Sequence, residues 1–262
     1  TFLKEMSSPA GLVLTLAGIG ALVFILRQMR SLGKIARERL YVVLIMTFFS
    51  LLFWAIFEQA GSSVNLFTDR NVDRVNQERV VEEVDVGGDP IELQLTQEQL
   101  GYTIGGSVMT LDRLDALRNK AKEEGGEGAD RVSIKVTKEH IGMGIAEEKD
   151  ETKASIYQSL NPAYILILGL VFTALWGFLG ARGFEPSTPV KFSLGLAQLG
   201  LGFGCFWIGA AGWMGLGGAD DRGMVAVIWL YLGYLLQTTG ELCLSPVGLS
   251  MVTKLSPARL VS

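Results

Sequence analysis

LYVVLIMTFFSLLFWAIFEQAGSSVNL, residues 40–66, runs for 27 positions with a single charged side chain, Glu58. A helix crosses a hydrocarbon core of about 30 Å with about 20 apolar residues, so this stretch reads as a membrane span. Lipid offers no partner for an open sheet edge, which makes the span helical. Residues 9–29, 163–181, 192–214 and 223–252 meet the same criterion, and the last carries one carboxylate, Glu241. Five spans give an all-α membrane protein set in a lipid bilayer. Their frequent glycines are read as close helix packing rather than pore chemistry.

Between the second and third spans the material changes. Residues 68–159 hold 20 of the 27 acidic side chains and 12 of the 23 basic ones, a net charge of −8. An acidic, water-soluble insert in a membrane protein explains that split. The chain's net charge of −4 averages two environments and gives no sign of a nucleic-acid partner. Within the insert, VEEVDV (81–86), PIELQL (90–95) and RVSIKVT (131–137) alternate as strands do. Leu111, Leu114 and Leu117 have helical spacing, with Thr110 as the cap and Gly125 and Gly126 as the stop. These signals give a small α/β domain or a partly disordered loop.

Lysine and arginine orient the spans. The first connection carries Arg27, Arg30, Lys34, Arg37 and Arg39, the third Arg182 and Lys191, and the C-terminal end Lys254 and Arg259. The positive-inside rule puts these in the cytoplasm and the insert outside. The fourth connection, GLGGADDRG (215–223), has one arginine against two aspartates and agrees. With no initiator methionine, the sequence reads as a fragment. His140, the chain's one histidine, has no companion ligand and reads as a surface residue, so no metal site is expected. Cys205 and Cys243 lie in apolar runs and read as small hydrophobes. Neither a nucleophile–base pair nor a phosphate-binding motif is present, and the chain is not expected to be an enzyme.

Glu58 and Glu241 mark the working part. An ionisable residue costs about 2.5–3.5 kcal/mol at the bilayer centre on insertion scales, and it faces a water-filled cavity or an opposite charge. Neither has a cation nearby on its own helix, so any partner belongs to another helix. Burial raises a carboxylate's pKa and a nearby cation lowers it, so making or breaking such a pair can move a proton. Trp54, one turn before Glu58, shares its face. Asn161, ahead of Pro162, opens the third span with an amide at a cavity mouth. Pro246, flanked by Gly240 and Gly248, is expected to kink or break the last span as a gate.

FWAIFEQAGSSVNLFTDRNVDR (53–74), QSLNPAYILILGLVFTALW (158–176), STPVKFSLGLAQLGLGFG (187–204) and TTGELCLSPVGLSMVTKLSP (238–257) together resemble the bacterial proton-dependent oligopeptide transporter family, a branch of the major facilitator superfamily. The resemblance covers all but the insert. It implies that residues 40–67 form the seventh helix of a twelve-helix core and residues 160–262 the eighth to tenth. Residues 1–39 become an extra inter-domain helix with a basic cytoplasmic linker, and 68–159 an acidic periplasmic insert that the family usually lacks. It further implies that Glu241, Asn161 and Trp54 bind substrate, and that Glu58 and Glu241 couple protons. The implied function is proton-coupled symport of di- and tripeptides across the bacterial inner membrane by alternating access, with protons as coupling ion and no other cofactor. Two alternatives stay open: a membrane-anchored protein whose insert is a binding module, or a family member moving another small anion or solute.

Overall fold

A computed structural model describes residues 9–77, 79–124 and 131–255, without the side chains of Lys122, Glu124, Glu148 and 245–255. Gly125, Gly126 and Arg259 lie outside the described residues. Among the described residues seven α-helices follow in order: α1 (Pro9–Met29), α2 (Lys34–Phe57), α3 (Ser63–Asn71), α4 (Leu111–Glu124), α5 (Leu160–Ala181), α6 (Thr188–Ala211) and α7 (Ile228–Leu255). The stretches Pro9–Met29, Lys34–Asn71, Ala154–Ala181 and Thr188–Ala211 are long and apolar enough to cross a membrane. α7, of 28 residues, lies where the fifth span was expected but is not among these four stretches, since Gln237, Thr238, Thr239 and Glu241 lower its hydropathy; it packs along α6. α1 is apolar on every side and turns Leu12, Leu14 and Phe24 outward, the pattern of a helix solvated by lipid. Near the basic connection, Met29, Leu40 and Val43 bury together and join α1 to α2.

The span quoted first is interrupted where an unbroken helix was expected. α2 ends at Phe57, Glu58–Gly61 form a 3₁₀ turn, and α3 restarts at Ser63. Local side chains explain the break. Gln59 donates to Ala55 O at 3.3 Å and accepts the Ser63 hydroxyl at 2.9 Å, while Gly61 weakens helix propagation. Serine and amide groups that bond nearby atoms compete with the helical ladder. At Pro246, expected to kink or break the last span, the helix is not broken: α7 runs through it to Leu255.

Glycines make the α6–α7 seam. Gly195, Gly202 and Gly209 recur every seven residues on α6, as do Gly233 and Gly240 on α7, which keeps each set on one stripe. A Cβ on Gly195 would lie 2.8 Å from Gly240 O, and one on Gly202 would lie 2.9 Å from Gly233 O and 2.8 Å from Gln237 Cγ. Only a hydrogen atom fits at these contacts. Gly240 is one of these packing points, a Cβ there lying 2.7 Å from Gly195 O. Beyond the other end of α5, Lys191 pairs with Glu185 and sits 4.4 Å from the centre of the Trp176 ring, fastening the α5–α6 connection.

The insert is folded, around a core of Val81, Leu93, Leu95, Leu100, Ile104, Met109, Leu114, Ile134, Val136 and Met143. Its strands are β1 (Val72–Asp73), β2 (Arg79–Val80), β3 (Ile91–Gln94), β4 (Thr103–Ile104), β5 (Ser107–Val108), β6 (Arg131–Ile134) and β7 (Gly144–Ile145). α4 starts as expected, with Arg113 N–H donating to Thr110 Oγ1 at 3.3 Å. VEEVDV, expected as a strand, instead holds a 3₁₀ turn at Glu83–Asp85, because Asp85 accepts the Glu82 N–H at 3.0 Å in a capping box.

Two halves of the insert repeat one another. IELQLTQEQLGYTI (91–104) and VSIKVTKEHIGMGI (132–145) share strand, capped 3₁₀ turn, left-handed glycine (Gly101, Gly142) and strand. Their strands β3 and β6 pair antiparallel with the equivalent positions Glu92 and Ser133 opposite each other, so a local twofold axis passes there. The bonds obey it. Gln99 accepts the Thr96 N–H at 2.7 Å and donates to Gly144 O at 3.2 Å. His140 Nδ1 accepts the Thr137 N–H at 3.1 Å, so its Nε2–H donates to Thr103 O at 2.8 Å. His140 is therefore buried and structural, not the surface residue expected.

Candidate functional site

Asn161 is the second residue of α5, and Pro162 follows within the first turn, where a missing N–H breaks no helical bond. The Asn161 amide reaches α7: Nδ2 donates to Glu241 Oε2 at 3.0 Å and to Thr238 Oγ1 at 3.1 Å. Thr238, fully buried, passes its own hydroxyl hydrogen to Tyr234 O at 2.8 Å. One oxygen of the half-buried Glu241 is thus fixed by a neutral donor. The N-terminus of α5 adds its positive dipole end beside the same carboxylate. Glu241 makes no ion pair among the described residues, so its negative charge is available to a cation.

Trp54 is half-buried in an aromatic group on α2, with ring centroids 5.6 Å from Phe53 and 5.4 Å from Phe57, against a core of Phe192, Leu199 and Leu244. Glu58 differs from expectation. It opens the 3₁₀ turn rather than sitting inside a helix, and its side chain is exposed. Its N–H is held by Trp54 O and Ile56 O, but its carboxylate has no hydrogen bond or ion pair among the described residues. The structure therefore brings Asn161 and Glu241 into direct contact and leaves Trp54 and Glu58 outside their hydrogen-bonded group. Among the described residues no group of three His, Cys, Asp or Glu could hold a metal ion.

Thr238 was not singled out from the sequence, although its place three residues before Glu241 puts both on one helical face. Residues 148–262 match the POT family. The chain is thus similar to that family over less than half of its length. It is 46% identical over 108 residues to the uncharacterized transporter YclF of Bacillus subtilis, covering 41% of this chain and 20% of that protein. A di-/tripeptide transporter of Lactococcus lactis subsp. lactis is 42% identical over 106 residues, covering 40% and 20%. The chain thus spans about one-fifth of the length of these curated relatives. A peptide transporter POT solved in complex with sulfate superimposes with a TM-score of 0.58 at 25% identity, over 99% of this chain and 39% of that one. The fold resembles part of that solved transporter: long apolar helices able to cross a membrane, with a small α/β insert.

Proposed function

We propose that this chain is part of a proton-coupled symporter of di- and tripeptides in the bacterial inner membrane, with the insert on the periplasmic side. The observation that carries this reading is the Asn161–Glu241–Thr238 contact between α5 and α7. Glu241 offers its charge to the peptide's ammonium while Asn161 fixes the carboxylate's orientation. In a cavity of low effective dielectric such a charge-assisted bond is strong. Trp54 supplies an aromatic wall to the same cavity. Glu58 takes up and releases the coupling proton, and its exposed carboxylate, without an ion pair among the described residues, can be met by a cation of another helix as the protein changes state. Peptide and proton then cross together as two helical halves rock about the site.

The ammonium is the test. In the full-length protein, Glu241→Gln is expected to weaken binding of a free dipeptide by about tenfold or more. An N-acetylated dipeptide, which lacks that charge, is expected to bind parent and variant alike. Equal affinity of both forms for the free dipeptide would remove Glu241 from the binding site.

A further inference from the structure

The fourth connection, between α6 and α7, is built into the insert. Its Met224 is buried in the insert's hydrophobic core, and its strand β8 (Val225–Ala226) pairs in parallel with β1, Val72 opposite Val225. Arg222 binds three carboxylates at once: Nη1 to Glu98 at 2.8 Å, Nη2 to Asp73 at 2.6 Å and Nε to Asp220 at 2.8 Å. Glu98 is 1% exposed, and Gln77 Nε2 donates to its other oxygen at 2.9 Å. The carboxyl passes over Gly144, where a Cβ would lie 1.8 Å from Glu98 Oε2. Burial pushes the Glu98 carboxyl up from its ordinary value and Arg222 opposes that shift.

A second arginine fastens the other side. Arg74 donates to Thr68 O at 3.0 Å and Asp69 O at 3.0 Å at the end of α3, and to Thr152 O at 2.5 Å on the approach to α5. It also pairs with Glu151, which Arg118 of α4 holds as well. Gln97 accepts the Arg74 N–H at 3.2 Å and donates to Asp69 O at 3.2 Å. Two adjacent buried residues of the insert, Gln97 and Glu98, thus reach the end of α3 and the α6–α7 connection.

We propose that the insert is a brace: through Gln97 and Glu98 it holds the outer ends of α3, α5 and the α6–α7 hairpin as one body. A tethered binding module would need none of this. It would not place an arginine and a methionine of a distant loop inside its own structure. Breaking one partner of a buried charge pair strands the other, so the fastening is hard to loosen piecemeal. The brace also leaves the 3₁₀ turn at Glu58–Gly61 as the junction between this body and α2.

Hydrogen exchange on the full-length protein tests the brace without reference to transport. The amides at 222–224 are held by Asp220 in a turn that Arg222 anchors. Arg222→Gln is expected to speed exchange at 220–226 by about tenfold or more, the loss of a charge-assisted bond, while 131–136 keep parent rates. Replacing 76–150 by a glycine/serine linker is expected to speed exchange at 220–226 and also at 63–71. Parent-rate exchange at 220–226 in either protein overturns the proposal.

Discussion

Position 99 carries glutamine and position 140 histidine, yet each caps a 3₁₀ turn and closes onto the carbonyl of its twofold mate's strand. Chemistry, rather than residue type, is repeated. His140→Gln is therefore expected to leave the thermal stability of the full-length protein near that of the parent. His140→Ala leaves the Thr137 N–H and Thr103 O without partners and is expected to cost about 1–3 kcal/mol. If the two substitutions lower the melting temperature equally, the twofold account of these bonds is wrong. At this scale the sequence was legible where a residue clashed with its surroundings. Glu58 and Glu241 stood out because a carboxylate in an apolar run is rare. Arg222 did not, since its meaning depends on Glu98, 124 positions away. His140 was misread for the same reason: a lone histidine shows its role only beside Gln99 and Thr103.

Among the elements, the α6–α7 seam makes the sharpest claim. Gly202→Ala forces a methyl into the space of Gly233 O and Gln237 Cγ, and overpacking of this kind is expected to destabilise by about 1–3 kcal/mol. Gly200→Ala is the control, because a Cβ there meets nothing within 4 Å. A melting-temperature series on the full-length protein should rank Gly202→Ala well below Gly200→Ala, and equal values would contradict the seam. Hydrophobic runs revealed the membrane helices because lipid demands them whatever the tertiary contacts. The interruption at Glu58–Gly61 was hidden, since Gln59 and Ser63 break the ladder by side-chain bonds that leave the apolar pattern intact. VEEVDV failed for a related reason: its alternation is compatible with a strand, and the Glu82–Asp85 capping box decides otherwise.

For the whole molecule, an acidic soluble segment and an apolar bundle were separable by composition, but not the way one grips the other. That grip rests on Arg222, Met224 and Arg74, whose partners are brought together only by the complete fold. The proposed function gives the two glutamates different tasks: Glu241, tied to Asn161, would meet the peptide, and Glu58, exposed on its 3₁₀ turn, would carry the proton. Glu58→Gln keeps the shape and hydrogen-bonding capacity of the side chain but cannot release a proton. The decisive measurement is uptake of a labelled dipeptide by the full-length protein in proteoliposomes, with and without an imposed pH gradient. The expected result for Glu58→Gln is loss of gradient-driven uptake with peptide exchange across the membrane retained, and gradient-driven uptake at the parent's rate would contradict proton coupling through Glu58.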